Sequence, residues 1–173
     1  MNLKLKMLRF SFVAAAAILS STHVAADERI GQIPLAKDIK SAKLVFYPLS
    51  INTYAPVTEA DMLRNGCIYD IDGNSEKIAE LSAILSGGII ISNEGEEQFQ
   101  LRNVIYFTLR DGSKVRMLIS DAHNLKPGVF GIIDKGTTSK HSYLTSDEKT
   151  LKLLRTWAKS RVHKNNASTY CDM

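Results

Sequence analysis

The sequence predicts an α+β domain: one antiparallel sheet of about four to five strands, with three helices packed mainly on one face. Three observations carry this. Residues 98–121 alternate apolar and polar side chains, first across Phe99, Leu101, Ile105, Phe107 and Leu109, then across Val115, Met117 and Ile119, as two half-buried strands do. A second hairpin follows at 129–144, and two sequential hairpins cannot build a parallel sheet. Three further stretches place apolar residues at helical spacing behind capping signals.

Met1 to Ala26 reads as a secretory signal peptide. Lys4, Lys6 and Arg9 form a basic n-region, and Phe10 to Leu19 is an apolar run too short to span a bilayer. Val24-Ala25-Ala26 supplies small residues before a cut ahead of Asp27. An exported protein, periplasmic or secreted, is expected, with no membrane insertion after cleavage. Residues 27–173 are expected to fold as a single compact domain of 147 residues, long enough for a real core. The leader carries three of the 22 basic residues and none of the 18 acidic ones, so the remainder has an excess of one positive charge. That balance argues against nucleic acid as a partner.

Asp27 to Ser41 is polar and mixed and is expected to be an N-terminal arm. Lys43 to Tyr54 alternates along Val45, Tyr47, Leu49 and Ile51, a strand that Pro48 consigns to an edge or a bulge. A short helix follows, with Thr58 as N-cap, Asp61 at the capping-box position, Val57 stapled to Met62, and Gly66 as its end. Cys67 to Ile71 is a short extended piece. The second helix begins near Asn74 or Ser75, buries Ile78, Leu81, Ile84 and Leu85, and stops at Gly87-Gly88. Ile89 to Ile91 is too short to assign.

Register decides the turn of the central hairpin. A two-residue turn at Asp111-Gly112 would oppose Phe107 to Arg116 and mix the two faces. A three-residue loop, Arg110-Asp111-Gly112, opposes Leu109 to Ser113, Phe107 to Val115 and Ile105 to Met117. It keeps one face apolar and gives Gly112 the position that needs a positive φ. Val129 to Ile133 and Thr137 to Leu144 form the next hairpin around a three-residue turn, Asp134-Lys135-Gly136. The last helix is expected to start at Thr145, with Glu148 completing its capping box, and to turn Leu151, Leu154, Trp157 and Ala158 inward. All three helices are the natural cover for the Phe107/Met117 face.

Cys67 and Cys171 are the only cysteines. In an oxidising compartment they are expected to form a disulfide that ties the tail, residues 162–173, to the middle of the chain. The competing reading, Cys67 as a nucleophile, has no local signature.

Asp70-Ile71-Asp72-Gly73-Asn74-Ser75-Glu76 resembles the opening half of an EF-hand or dockerin-type calcium loop, with Asp70, Asp72 and Asn74 as the oxygen ligands. Ser75 stands where the loop needs glycine, and Leu81 where it needs a bidentate carboxylate. A turn that caps the second helix is the preferred reading, so no metal or other cofactor is expected. Asp121, His123 and His141 are the alternative catalytic or metal trio, drawn from a turn and a strand. No H-E-x-x-H, C-x-x-C or G-x-S-x-G occurs, and no catalytic residue is assigned. Asn166-Ala167-Ser168 matches a glycosylation sequon.

One surface stands out. The three-residue register gives the hairpin a second face of Arg102, Val104, Tyr106 and Thr108 opposite Ser120, Leu118, Arg116 and Lys114. Tyrosine and arginine around a small apolar centre are what protein interfaces use as anchors, so Val104, Tyr106, Arg116 and Leu118 are the candidate binding residues. The expected function is a small exported non-catalytic module that binds another protein, such as an inhibitor or immunity factor against an envelope-acting enzyme or toxin. An exported hydrolase with an ungrouped acid/histidine site is the alternative, and a calcium-stabilised structural domain the third reading.

Overall fold

Alternation along the strands sorts the side chains onto two faces of one sheet, and both faces are covered in part. The computed structural model describes residues 32–48, 55–95, 98–121, 128–135, 141–165 and 171. The expected signal peptide lies outside them, as do His123 and the Asn166 sequon. Elements run β1 (Ile39–Phe46), α1 (Glu59–Asn65), β2 (Cys67–Asp72), α2 (Ser75–Gly88), β3 (Ile89–Ser92), β4 (Leu101–Leu109), β5 (Lys114–Ser120), β6 (Val129–Asp134), β7 (His141–Ser146), α3 (Glu148–Arg161) and β8 (His163–Lys164). The fold is α+β as expected, but the described residues form eight strands, not four or five, in the order β3-β7-β6-β5-β4-β1-β2-β8. Every neighbouring pair is antiparallel.

The central hairpin has the expected register. Phe107 opposes Val115, Ile105 opposes Met117 and Tyr106 opposes Arg116. The Leu109 N–H donates to the Ser113 carbonyl at 2.8 Å, and Gly112 has φ +86°, where a Cβ would be strained. At the far end the pairing slips by one residue, because a bulge between Leu101 and Asn103 sets Leu101, not Arg102, against Ser120.

On the inner face, Leu44, Phe46, Ile105, Phe107, Met117, Ile119, Ile133 and Leu144 join Ile78, Leu81 and Leu85 of α2 and Leu151, Leu154, Trp157 and Ala158 of α3 in the main core. The two helices meet closely: a Cβ on Gly88 would collide with the Thr150 side chain, so glycine is required there. Trp157 Nε1 donates to Glu80 at 2.6 Å across the same seam. α1 does not join this layer. It packs on the outer face, where Met62 and Val57 are buried with Val45, Tyr47, Leu101 and Val104 in a second cluster.

Several boundaries differ from expectation. The arm is partly structured: a 3-10 turn at Ala36–Asp38 leads into β1, which starts at Ile39. β1 ends at Phe46, before Pro48, so the proline stops the strand instead of marking an edge. β1 is an interior strand between β4 and β2, and residues 49–54 lie outside the described ones. β3 exists and pairs with β7, and the tail adds β8 to β2. α1 and α2 begin as expected: Thr58 accepts from Asp61 N–H in a full capping box, and Asn74 accepts from Lys77 N–H at 3.0 Å. α2 runs through Gly87-Gly88 to its C-cap at Ile89. The N-cap of α3 is Asp147, whose side chain accepts from Thr150 N–H at 2.6 Å. Thr145 cannot serve, because β7 continues to Ser146. Asp134 pairs with His141, so the β6–β7 connection spans 135–140 and is not a three-residue turn.

Cys67 and Cys171 are bonded, with Cα atoms 5.5 Å apart. No helix among the described residues is long and apolar enough to cross a membrane.

Candidate functional site

Register across the outer face aligns one polar row over six strands. Asp70 of β2 faces Lys43 of β1, Lys43 faces Tyr106, Tyr106 faces Arg116, Arg116 faces Asp134 and Asp134 faces His141. Partner positions in a ladder point to the same side, so a row of charged and polar side chains crosses the sheet beside α1. The next row toward the bulge is apolar, with Ile68, Val45, Val104, Leu118 and Ile132 in register.

Glu59, the first residue of α1, hangs over the polar row. Its Oε2 accepts from the Tyr106 hydroxyl at 2.8 Å, and its Oε1 accepts from Arg116 Nη1 at 2.6 Å. Arg116 Nε donates to both oxygens of Asp134 at 2.9 Å. One guanidinium therefore bridges a helix and a neighbouring strand. Burial lowers the Arg116 pKa, but the hydrogen bonds it donates to Asp134 and the charges of Asp134 and Glu59 outweigh it and hold it above the ordinary value. Burial, then the hydrogen bond and charge of Glu59, push the Tyr106 phenol well above its usual range.

Beside this network, between α1 and strands β2, β1, β4 and β5, lies an open groove of about 570 Å³. Lys43, Asp72, Leu63, Thr108 and Lys114 line it together with Tyr106 and Arg116. Leu63, on the solvent side of α1, is 45 % exposed at its rim. The groove offers both signs of charge and an apolar edge. Such a surface can hold an extended polar segment.

The four expected binding residues do share this face, but not as one exposed patch. Val104 is completely buried under α1, so it contributes packing and is not part of the accessible surface. Tyr106 and Leu118 are partly buried against the same cluster. Arg116 is likewise only partly accessible, its side chain 37 % exposed. Sequence reasoning missed the cause: an amphipathic helix does not announce which face of a sheet it will cover. It also missed Glu59 and Asp134, whose positions follow from that docking and from the β5–β6 register.

The alternative sites fare differently. Asp70 is engaged by Lys43 at 3.7 Å and by the Asn165 side-chain amide. Asn74 spends its Oδ1 on the α2 N-terminus. Among the described residues no three His, Cys, Asp or Glu side chains converge as a metal site. His141 is level with Arg116, whereas Asp121 follows the other end of β5, about 17 Å further along at the rise of a strand. Asp121 and His141 therefore do not assemble with each other. Cys67 is held in its disulfide and is not a free thiol. Comparison with family models, curated proteins and solved structures finds no match to this chain.

Proposed function

We propose that the protein is a small exported module without catalysis that binds another protein, acting as an inhibitor or immunity factor in the cell envelope or outside the cell. Its contact surface is the groove beside α1, with Arg116 and Tyr106 at the centre, Leu63, Lys43 and Lys114 around it, and Leu118 in the adjoining apolar row. Val104 supports the surface from below. The observation that carries this reading is the Tyr106–Glu59–Arg116–Asp134 network. It holds a tyrosine and an arginine in one geometry at the wall of an open groove, so little side-chain freedom is left to lose on binding. Aromatic and arginine anchors of this kind dominate many interfaces. Export is supported by the sequence of residues 1–26 and by a disulfide suited to an oxidising compartment.

The test compares wild type with the double variant Leu63→Asp, Lys114→Glu in capture from envelope and culture-medium extracts. Both positions are exposed, so the variant should unfold at nearly the wild-type urea midpoint. A protein retained by wild type and lost by the variant is the expected result. Equal retention by both removes the groove from the interface. An intact mass that still includes residues 1–26 in exported protein would remove the leader.

A further inference from the structure

On the opposite face of the sheet, Arg155 of α3 enters the molecule where β1 ends and β4 begins. Its guanidinium carbon lies 5.2 Å from the centre of the Phe46 ring, and Nη1 donates to the Tyr47 carbonyl at 3.3 Å. Nε and Nη2 are both fully buried and have no hydrogen-bond partner. These two nitrogens form the guanidinium edge whose N–H bonds point in parallel, the edge that grips a carboxylate or phosphate side-on.

Across the β1–β4 ladder from Phe46 stands Asn103, with no exposed surface. Its Nδ2 donates to the Ser120 carbonyl at 2.7 Å, which fixes the orientation of the amide and leaves Oδ1 buried without a donor. Asn103 points inward by simple alternation with Ile105 and Phe107 of the same strand. Arg102 is itself buried, stacked on Tyr47 at 5.1 Å, and repels the Arg155 charge. Asp121 attracts that charge. Burial above all, with Arg102 adding to it, pulls Arg155 down to about 10, against Asp121 and Tyr69. Two orphan donors on a buried cation and an orphan acceptor therefore flank one aromatic ring.

We propose that the Nε–Nη2 edge of Arg155 and Oδ1 of Asn103 form an internal site for a small oxyanion that also carries a hydroxyl, the shared chemistry of hydrogen phosphate and a 2-hydroxy carboxylate. The oxyanion accepts both N–H groups of Arg155 and balances its charge. Its hydroxyl donates to Asn103. A buried water can meet the same hydrogen bonds but supplies no charge. The three atoms that would hold it are buried, so the anion enters during folding or local opening. It lies on the inner side of the sheet and is independent of the groove.

The test refolds the full chain, disulfide intact, from urea at constant ionic strength in chloride alone or with inorganic phosphate, glycolate or acetate. A saturable rise in Tm with phosphate or glycolate is expected, smaller with acetate, which has no hydroxyl. Arg155→Lys keeps the charge but lacks the parallel edge, and should lose the rise. Arg155→Met removes the cation, and should lose the rise while melting no lower than wild type in chloride. Native mass spectrometry of the refolded wild type should show one bound anion, a readout that needs no variant. No rise and no added mass with either anion, or an undiminished rise in Arg155→Lys, would overturn the proposal.

Discussion

At the scale of single residues, Tyr106 shows how position within a fold changes chemistry. Its hydroxyl donates to Glu59, and burial together with that carboxylate raises its pKa. A phenol whose folded pKa is raised keeps its proton where the unfolded chain loses it. Its contribution to stability is therefore complete below about pH 10, the ordinary tyrosine value, and is lost as pH climbs beyond it. Urea unfolding at a series of alkaline pH values should show wild type losing stability above pH ~10 more steeply than Tyr106→Phe. At neutral pH the same substitution should cost about 1 kcal/mol, the net worth of one hydrogen bond. Identical alkaline limbs would mean that Tyr106 is solvated and not held under Glu59. In the sequence Tyr106 was legible as a face residue of the hairpin. Its partner was not, because Glu59 is distant in the chain and is brought there only by the docking of α1.

At the scale of elements, α1 is the part that local sequence describes best and places worst. Thr58, Asp61, Val57, Met62 and Gly66 announce its start and stop, and the capping box forms as read. Seven residues make a helix too short to persist alone, so its existence rests on tertiary packing. Met62 has no exposed surface and is the anchor in the outer cluster. Met62→Ala should cost about 2–5 kcal/mol, whereas Leu63→Ala, on the exposed side of the same turn, should stay within about 0.5 kcal/mol. Equal small effects in urea melts would detach α1 from the sheet and open Val104 to solvent. α3 shows the opposite lesson. Its inward stripe of Leu151, Leu154, Trp157 and Ala158 is as read, but the capping residue is Asp147. Two capping signals overlap at 145–148, and the pairing of β7 with β6 and β3 through Ser146 chooses between them.

At the scale of the whole molecule, the Cys67–Cys171 bridge joins positions separated by 104 residues. It fastens the chain after α3 to an interior strand, beside the edge made by only two residues of β8. In the chain-entropy account a loop of this length stabilises by about 4–5 kcal/mol at most. Reduction, or Cys67→Ala with Cys171→Ala, should lower the urea midpoint by an amount within that limit. No change would mean that the tail is already fixed by β8 and α3, or that the unfolded chain is compact without the bridge.

Local physical chemistry determined much of this protein before any fold was known. Period-two alternation and the need for positive φ at Gly112 decided the register of the central hairpin. Side-chain oxygens at Thr58 and Asn74 decided two helix starts, and an even cysteine pair decided the bridge. Each of these depends on residues close in sequence or on a choice with one solution. Tertiary structure alone decided that β1 lies in the interior, that the short runs at 89–92 and 163–164 become edge strands, and that α1 covers the outer face. It also decided that Val104 is buried while Arg116 meets Glu59 and Asp134. A strand gains its second neighbour, and a helix its sheet, from surfaces contributed by distant parts of the chain. No local periodicity carries that information.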